Sequence, residues 1–157
     1  MADSPPDSPE IKSVARNRRA SHDYHIIETW EAGLVLTGTE VKSLRNGKAN
    51  IVDAYGIVRG GEVHILNVHI SPYEQGGYVN HEPTRLRKLL LHKREIRRLI
   101  GAIEREGLTL IPLELYFKGG KAKLRIGLAK GKKLHDKRDD SKKKDAVREM
   151  ARAMHKR

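Results

Sequence analysis

The chain breaks into short apolar runs punctuated by Gly, Asn and Pro, and most runs keep a strand or helix period. Residues 24–30, with Tyr24, Ile26, Ile27 and Trp30, have strand texture; a turn at Glu31-Ala32-Gly33 and a strand at Leu34-Val35-Leu36 follow. Gly38-Thr39 opens a short helix: Thr39 can cap it, Val41 and Leu44 share a face, and Asn46-Gly47 stops it. Residues 51–59 and 62–70 form a hairpin turning on Gly60-Gly61, and 71–83 is a loop rich in Gly and Pro. After a short strand at 88–91, Ile96, Leu99, Ile100 and Ile103 stand at i, i+3, i+4 and i+7, one apolar helix stripe ended by Gly107.

A last hairpin, 108–117 with 121–129, turns on Gly119-Gly120. Ile111, Leu113, Leu115 and Phe117 alternate on one face, and Ala122, Leu124, Ile126 and Leu128 answer them. This leaves Lys121, Lys123 and Arg125 as an outward basic row. The pattern suits a mainly β fold: a small closed antiparallel barrel of the oligonucleotide-binding (OB) type with short helices, because closure removes unpaired edges. A half-open sheet with packed helices satisfies the same pattern.

Three segments are expected. Residues 1–12 are acidic and Pro-rich and should be disordered. Residues 13–129 form the barrel, entered through a basic lead-in at 13–22. Residues 130–157 form a basic tail with 12 Lys or Arg against 5 acids. Val147, Met150, Ala151 and Met154 recur there at helical spacing, but so thin a stripe predicts disorder when free and a helix only against a partner.

Charge then narrows the partners. The formal net charge is +12, which points to a polyanion. No apolar run approaches the ~18–20 residues that span a bilayer, and the N-terminus has no signal-peptide core, so a soluble cytoplasmic protein without a membrane partner is expected. With no cysteine, disulfides and Cys-based zinc sites are excluded. The eight histidines include His22 and His25, and His64 and His69 of opposite parity; none has metal-ligand spacing, so neither metal nor cofactor is expected. The run from Gly127 to Lys133 faintly echoes a phosphate loop but is one residue short, with Lys133 where a hydroxyl should stand. No nucleophile comes with a base and an orienting group, so an enzyme is not indicated.

A basic run is most often a solvated face. Here, however, cations concentrate at both ends of the core, with Tyr24, His22, Tyr73 and His135 among them as flat faces for bases. With seven aromatics in the chain, recognition of folded RNA by shape and backbone is favoured over single-strand reading.

Four stretches resemble the SmpB family: Gly38 to Arg45 (GTEVKSLR), His69 to Glu74 (HISPYE), Arg87 to Ile96 (RKLLLHKREI) and Lys130 to Arg138 (KGKKLHDKR). The lead-in from Asn17 to Tyr24 (NRRASHDY) fits as well. The resemblance implies an OB-type barrel that grips the tRNA-like domain of transfer-messenger RNA and enters ribosomes stalled on messages without a stop codon. It implies no chemistry, and a free monomer is expected. RNA contacts implied are Asn17, Arg18, Arg19, His22, Tyr24, Glu31, Glu40, Lys42, Arg45, Leu90 and His92, to which the outward row adds Lys123 and Arg125. Glu40 is equally a helix N-terminal charge, and Leu90 equally a core residue. In the tail, Lys132, Lys133, His135, Asp136, Lys137 and Arg138 would meet the decoding centre, the rest following the empty mRNA channel. Gly77 and His92 depart from the family's usual polar residue and Asn; His92 with Glu95 three later still permits a capping box. The competing expectation is a general nucleic-acid-binding protein with an OB barrel.

Overall fold

A computed structural model describes residues 10–77 and 79–132. The order is β1 (Ile11–Arg16), α1 (Ala20–Asp23), β2 (Tyr24–Leu34), α2 (Gly38–Arg45), β3 (Ala49–Asn50), β4 (Tyr55–Arg59), β5 (Glu62–Leu66), β6 (His69–Ile70), β7 (Arg87–Leu90), α3 (Lys93–Glu104), β8 (Thr109–Lys118) and β9 (Lys121–Gly131). Seven strands form an antiparallel sheet in the order β1-β8-β9-β2-β7-β5-β4, and β3 pairs with β6. Leu44, Ile51, Ile65, Leu89, Leu99, Leu115, Leu124 and Ile126 fill the core, and α3 packs its Leu99 and Ala102 into it.

The expected closed barrel is not found. β1 takes the outer edge of β8 along residues 114–118, while β4 meets β8 side-on with no ladder between them. Gly56 permits that approach, because a Cβ there would lie 2.4 Å from Leu110.

Several boundaries also differ from the sequence pattern. Ile11 and Lys12, expected in a disordered N-terminus, belong to β1. β2 runs straight through Glu31-Ala32-Gly33, with Gly33 small because Leu90 of β7 stands 3.1 Å from where its Cβ would be. The strand expected over 62–70 is broken at Asn67, whose φ is +66°. A bulge between Pro112 and Glu114 splits the single face expected for β8: Leu115 and Phe117 enter the main core, while Ile111 joins Ala20, Ala129, Tyr24 and Leu113 in a second cluster. β9 continues to Gly131, and the Lys132 N–H bonds the Asp23 carbonyl at 3.0 Å, so the boundary expected at 129/130 moves outward.

Helix α2 is capped by Thr37, not Thr39, through a Thr-x-x-Glu box in which the Thr37 N–H donates to Glu40 at 2.8 Å. Glu40 is fully buried, which removes it from the expected RNA contacts. Its carboxylate receives Arg85 at 2.7 Å and the wholly buried Arg87 at 2.5 Å. Burial opposes its ionisation most strongly, but Arg85, the Thr37 N–H and Arg87 outweigh it and hold the carboxyl at about 2. A depressed folded pKa stabilises above the ordinary carboxylate range and is lost as pH falls through the folded value. Glu40→Gln should therefore cost about 3 kcal/mol in urea unfolding at pH 7, because two guanidinium groups lose their counter-charge. The gap between the variant and the unsubstituted chain should close as pH falls from about 4.5 towards 2. A constant gap would refute the ionic account.

Candidate nucleic-acid interface

Register places charged side chains on the outer face of the sheet in cross-strand rows. One row runs Arg16, Glu114, Arg125, Glu31 across β1, β8, β9 and β2. The next runs Ser13, Tyr116, Lys123, Gly33, Leu90, reaching β7. Glu114 accepts from Ser13 (2.8 Å), Arg16 (3.1 Å) and Arg125 (3.2 Å). The Arg125 guanidinium also lies 5.5 Å over the Tyr116 ring. Tyr116 donates its hydroxyl to Glu31 at 2.5 Å, and the Lys118 ammonium lies 3.3 Å from the same carboxylate. The Tyr116 bond, with Lys118 and Lys123 nearby, lowers the Glu31 carboxyl despite partial burial; burial and Glu31 push the Tyr116 phenol up to about 12. Arg16, Arg125 and Lys118 thus bond two ionised carboxylates, with Lys123 close by, at a spacing set by the strand register.

The expected contacts fall into three groups around these rows. Glu31, Lys123 and Arg125 lie within them, and Leu90 ends one; at 54% exposure it is a surface residue rather than core. His92 follows at the start of α3 as its N-cap, with its N–H bonded to Glu95 at 2.9 Å, as the capping box requires. Lys42 and Arg45 form a second group on the exposed side of α2. Lys42 lies 5.5 Å over Tyr73, and Arg45 lies 5.7 Å over Phe117.

The third group is the corner between β1 and β2. Asn17 is fixed there by its amide bond to the Pro112 carbonyl (3.0 Å), Arg18 and Arg19 are exposed, and His22 bonds Asp23 at 2.9 Å. Tyr24 packs on Ile111 and Ala20, and Lys132 adjoins the corner through Asp23. Lys133, His135, Asp136, Lys137 and Arg138, with the helical stripe beyond them, lie outside the described residues.

Sequence reading missed Arg16 because β1 was unrecognised, and it missed Glu114, Tyr116 and Lys118 although their i, i+2 spacing opposite Leu115 and Phe117 was the available signal. It also missed Arg85 and Arg87, the partners of Glu40. Among the described residues there is no cluster of three or more metal-ligating side chains, and no helix is long and apolar enough to cross a membrane.

The Tyr116–Glu31 bond can be tested directly. Tyr116→Phe should let the Glu31 carboxyl titrate closer to 4.5 in a side-chain NMR titration, and cost about 1 kcal/mol in unfolding at neutral pH. An unmoved Glu31 would assign its shift to the lysines alone.

The SmpB protein family model matches residues 14–156. An SsrA-binding protein of Saccharopolyspora erythraea is 62% identical over 143 residues, covering 91% of this chain and 90% of that one. Another, from Geobacillus thermodenitrificans, is 57% identical over 148 residues, covering 94% and 96%. A solved chain described as "tmRNA-SmpB: a journey to the center of the bacterial ribosome" superposes with a TM-score of 0.64 at 55% identity, covering 76% of this chain and 84% of that one. With a family match over nearly the whole sequence and relatives near 60% identity, the chain belongs to the SmpB family.

Proposed function

We propose that this protein binds the tRNA-like domain of transfer-messenger RNA and delivers it to stalled ribosomes for trans-translation. The observation that carries this reading is the preordered lattice on the sheet's outer face, seen in a chain whose relatives are SsrA-binding proteins and whose solved neighbour is tmRNA-SmpB on the ribosome. Cations fixed by Glu31 and Glu114 lose little side-chain freedom on meeting phosphates, which favours an RNA of matching shape over a random polyanion. The α2 cations and the Asn17–Tyr24 corner supply flanking contacts. Glu31 acts as an acceptor and an orienting carboxylate rather than as a phosphate ligand.

In this reading the coiled sheet is an OB-type platform, and the protein works by binding rather than by catalysis, in the cytoplasm. The basic segment beyond Lys132 goes to the decoding centre through His135, Asp136, Lys137 and Arg138 and becomes helical along the empty mRNA channel. Its ordering is driven by that partner.

A paired assay separates the two parts: titration with isolated tRNA-like RNA, and peptide tagging on ribosomes stalled at a message end. A chain ending at Lys132 keeps β9 whole, so it should bind the RNA within about twofold of full length and lose tagging. Affinity should fall log-linearly with salt. Equal affinity for an unrelated duplex would point instead to a general nucleic-acid binder, and normal tagging by the shortened chain would sink the tail's role.

A further inference from the structure

Helix α3 carries its charges where a helix alone would not place them. Lys93 and Arg94 occupy its first turn, at the positive end of the macrodipole, where cations are disfavoured. Arg97 follows one turn on, beside Arg94, and like charges at that spacing repel. Arg98 is neutralised by Glu28 at 3.2 Å and Glu106 at 3.4 Å. Lys93, Arg94 and Arg97 have no acidic partner among the described residues.

Gly101 adds an independent observation. It sits mid-helix, where Gly is destabilising, yet a Cβ there would meet nothing within 4 Å. Packing therefore does not require it. Arg94, Arg97 and Gly101 stand at i, i+3 and i+7, one stripe about 10 Å long on the side away from buried Leu99 and Ala102. Two unpaired guanidinium groups beside a bare stretch of helix backbone make a seat for an anionic strand.

We infer that this stripe is a docking surface for RNA phosphate backbone, continuing the footprint of the RNA bound on the sheet. The chain leads directly from one surface to the other: the row from Ser13 to Lys123 ends on exposed Leu90, and His92, two residues on, caps α3. The stripe is too long for a single phosphate group. It carries no exposed apolar side chain to enter a lipid surface, since Ile96, Ile100 and Ile103 are at least partly buried. The inference rests on the proposed RNA-binding reading.

The test uses the full chain and tRNA-like RNA titrated at several salt concentrations. Arg94→Gln with Arg97→Gln should weaken binding about tenfold near 0.15 M salt and flatten the log-log salt slope by about one to two. Its melting midpoint should be unchanged or higher, because repulsion is relieved. Gly101→Gln should also raise the midpoint but weaken binding with little change in slope, since it blocks approach without removing charge. Wild-type affinity and slope in the double variant would overturn the inference, provided the unsubstituted chain still prefers the tRNA-like RNA to an unrelated duplex. If that preference is absent, the RNA-binding reading itself fails and the inference falls with it. Binding to phosphatidylserine vesicles that the double variant loses while RNA affinity stays constant would also overturn it.

Discussion

A buried carboxylate between two arginines holds together the part of this fold that carries α2. Taking Glu40 and Arg87 out of water costs several kcal/mol per ion, so the cluster persists only because nearly every polar atom is paired. Glu40 receives Thr37, Arg85 and Arg87, and Arg87 also donates to the carbonyls of Val68 (2.5 Å) and Pro83 (3.0 Å). Burial lowers the Arg87 pKa while Glu40 pulls it back up, and a guanidinium remains cationic regardless. An apolar replacement of equal volume would offer comparable stability but would not fix the helix against β7, the segment after β5 and the end of the 71–83 loop at one register.

That fixed register propagates to the surface. With α2 anchored, Ser43 reaches the Ser71 carbonyl at 2.6 Å, and Thr39 bonds His81, whose other ring nitrogen bonds the Ile70 carbonyl at 2.8 Å. Asn80 closes the loop by accepting from the Tyr73 N–H and donating to its carbonyl. The loop therefore presents Tyr73 beneath Lys42, just as β8 presents Phe117 beneath Arg45. A charge pair that solvent never meets decides where two exposed cations stand.

The sequence made local elements legible where period and turn chemistry agreed, as in α3 with its Ile96–Ile103 stripe and the β8–β9 hairpin at Gly119-Gly120. It misled where one residue changed the parity. The extra residue in β8 sends Ile111 away from the core, and the Asn67 backbone ends a strand that alternation alone would continue. Glu31, Lys42, Arg45, Lys123 and Arg125 were legible as a surface set through the family resemblance and the outward row on β9, whereas Leu90 was left between core and surface until its exposure on β7 decided it. Glu40 was not, because its two roles differ only in what covers it, and Arg85 and Arg87 lie 45 and 47 residues away. The ring was expected to close because an edge is a liability, but an edge can also be met by side-on packing, which leaves no sequence period.

The two carboxylates on the basic face then have a physical reason. Free lysine and arginine side chains on a flat sheet would repel one another and sample many rotamers, and ordering them on contact would consume part of the binding energy. Glu31 and Glu114 reduce the net charge but lock Arg16, Lys118 and Arg125 into a spacing set by the strands. The same bonds hold both carboxyls below the ordinary range and keep the Tyr116 phenol protonated to about 12, so the donor and acceptor pattern of the rows does not change near neutrality. A surface built this way answers to ionic strength, because screening weakens each contact with an anion. Specificity for a folded polyanion can then rest on geometry, because the charges that meet it are already in place.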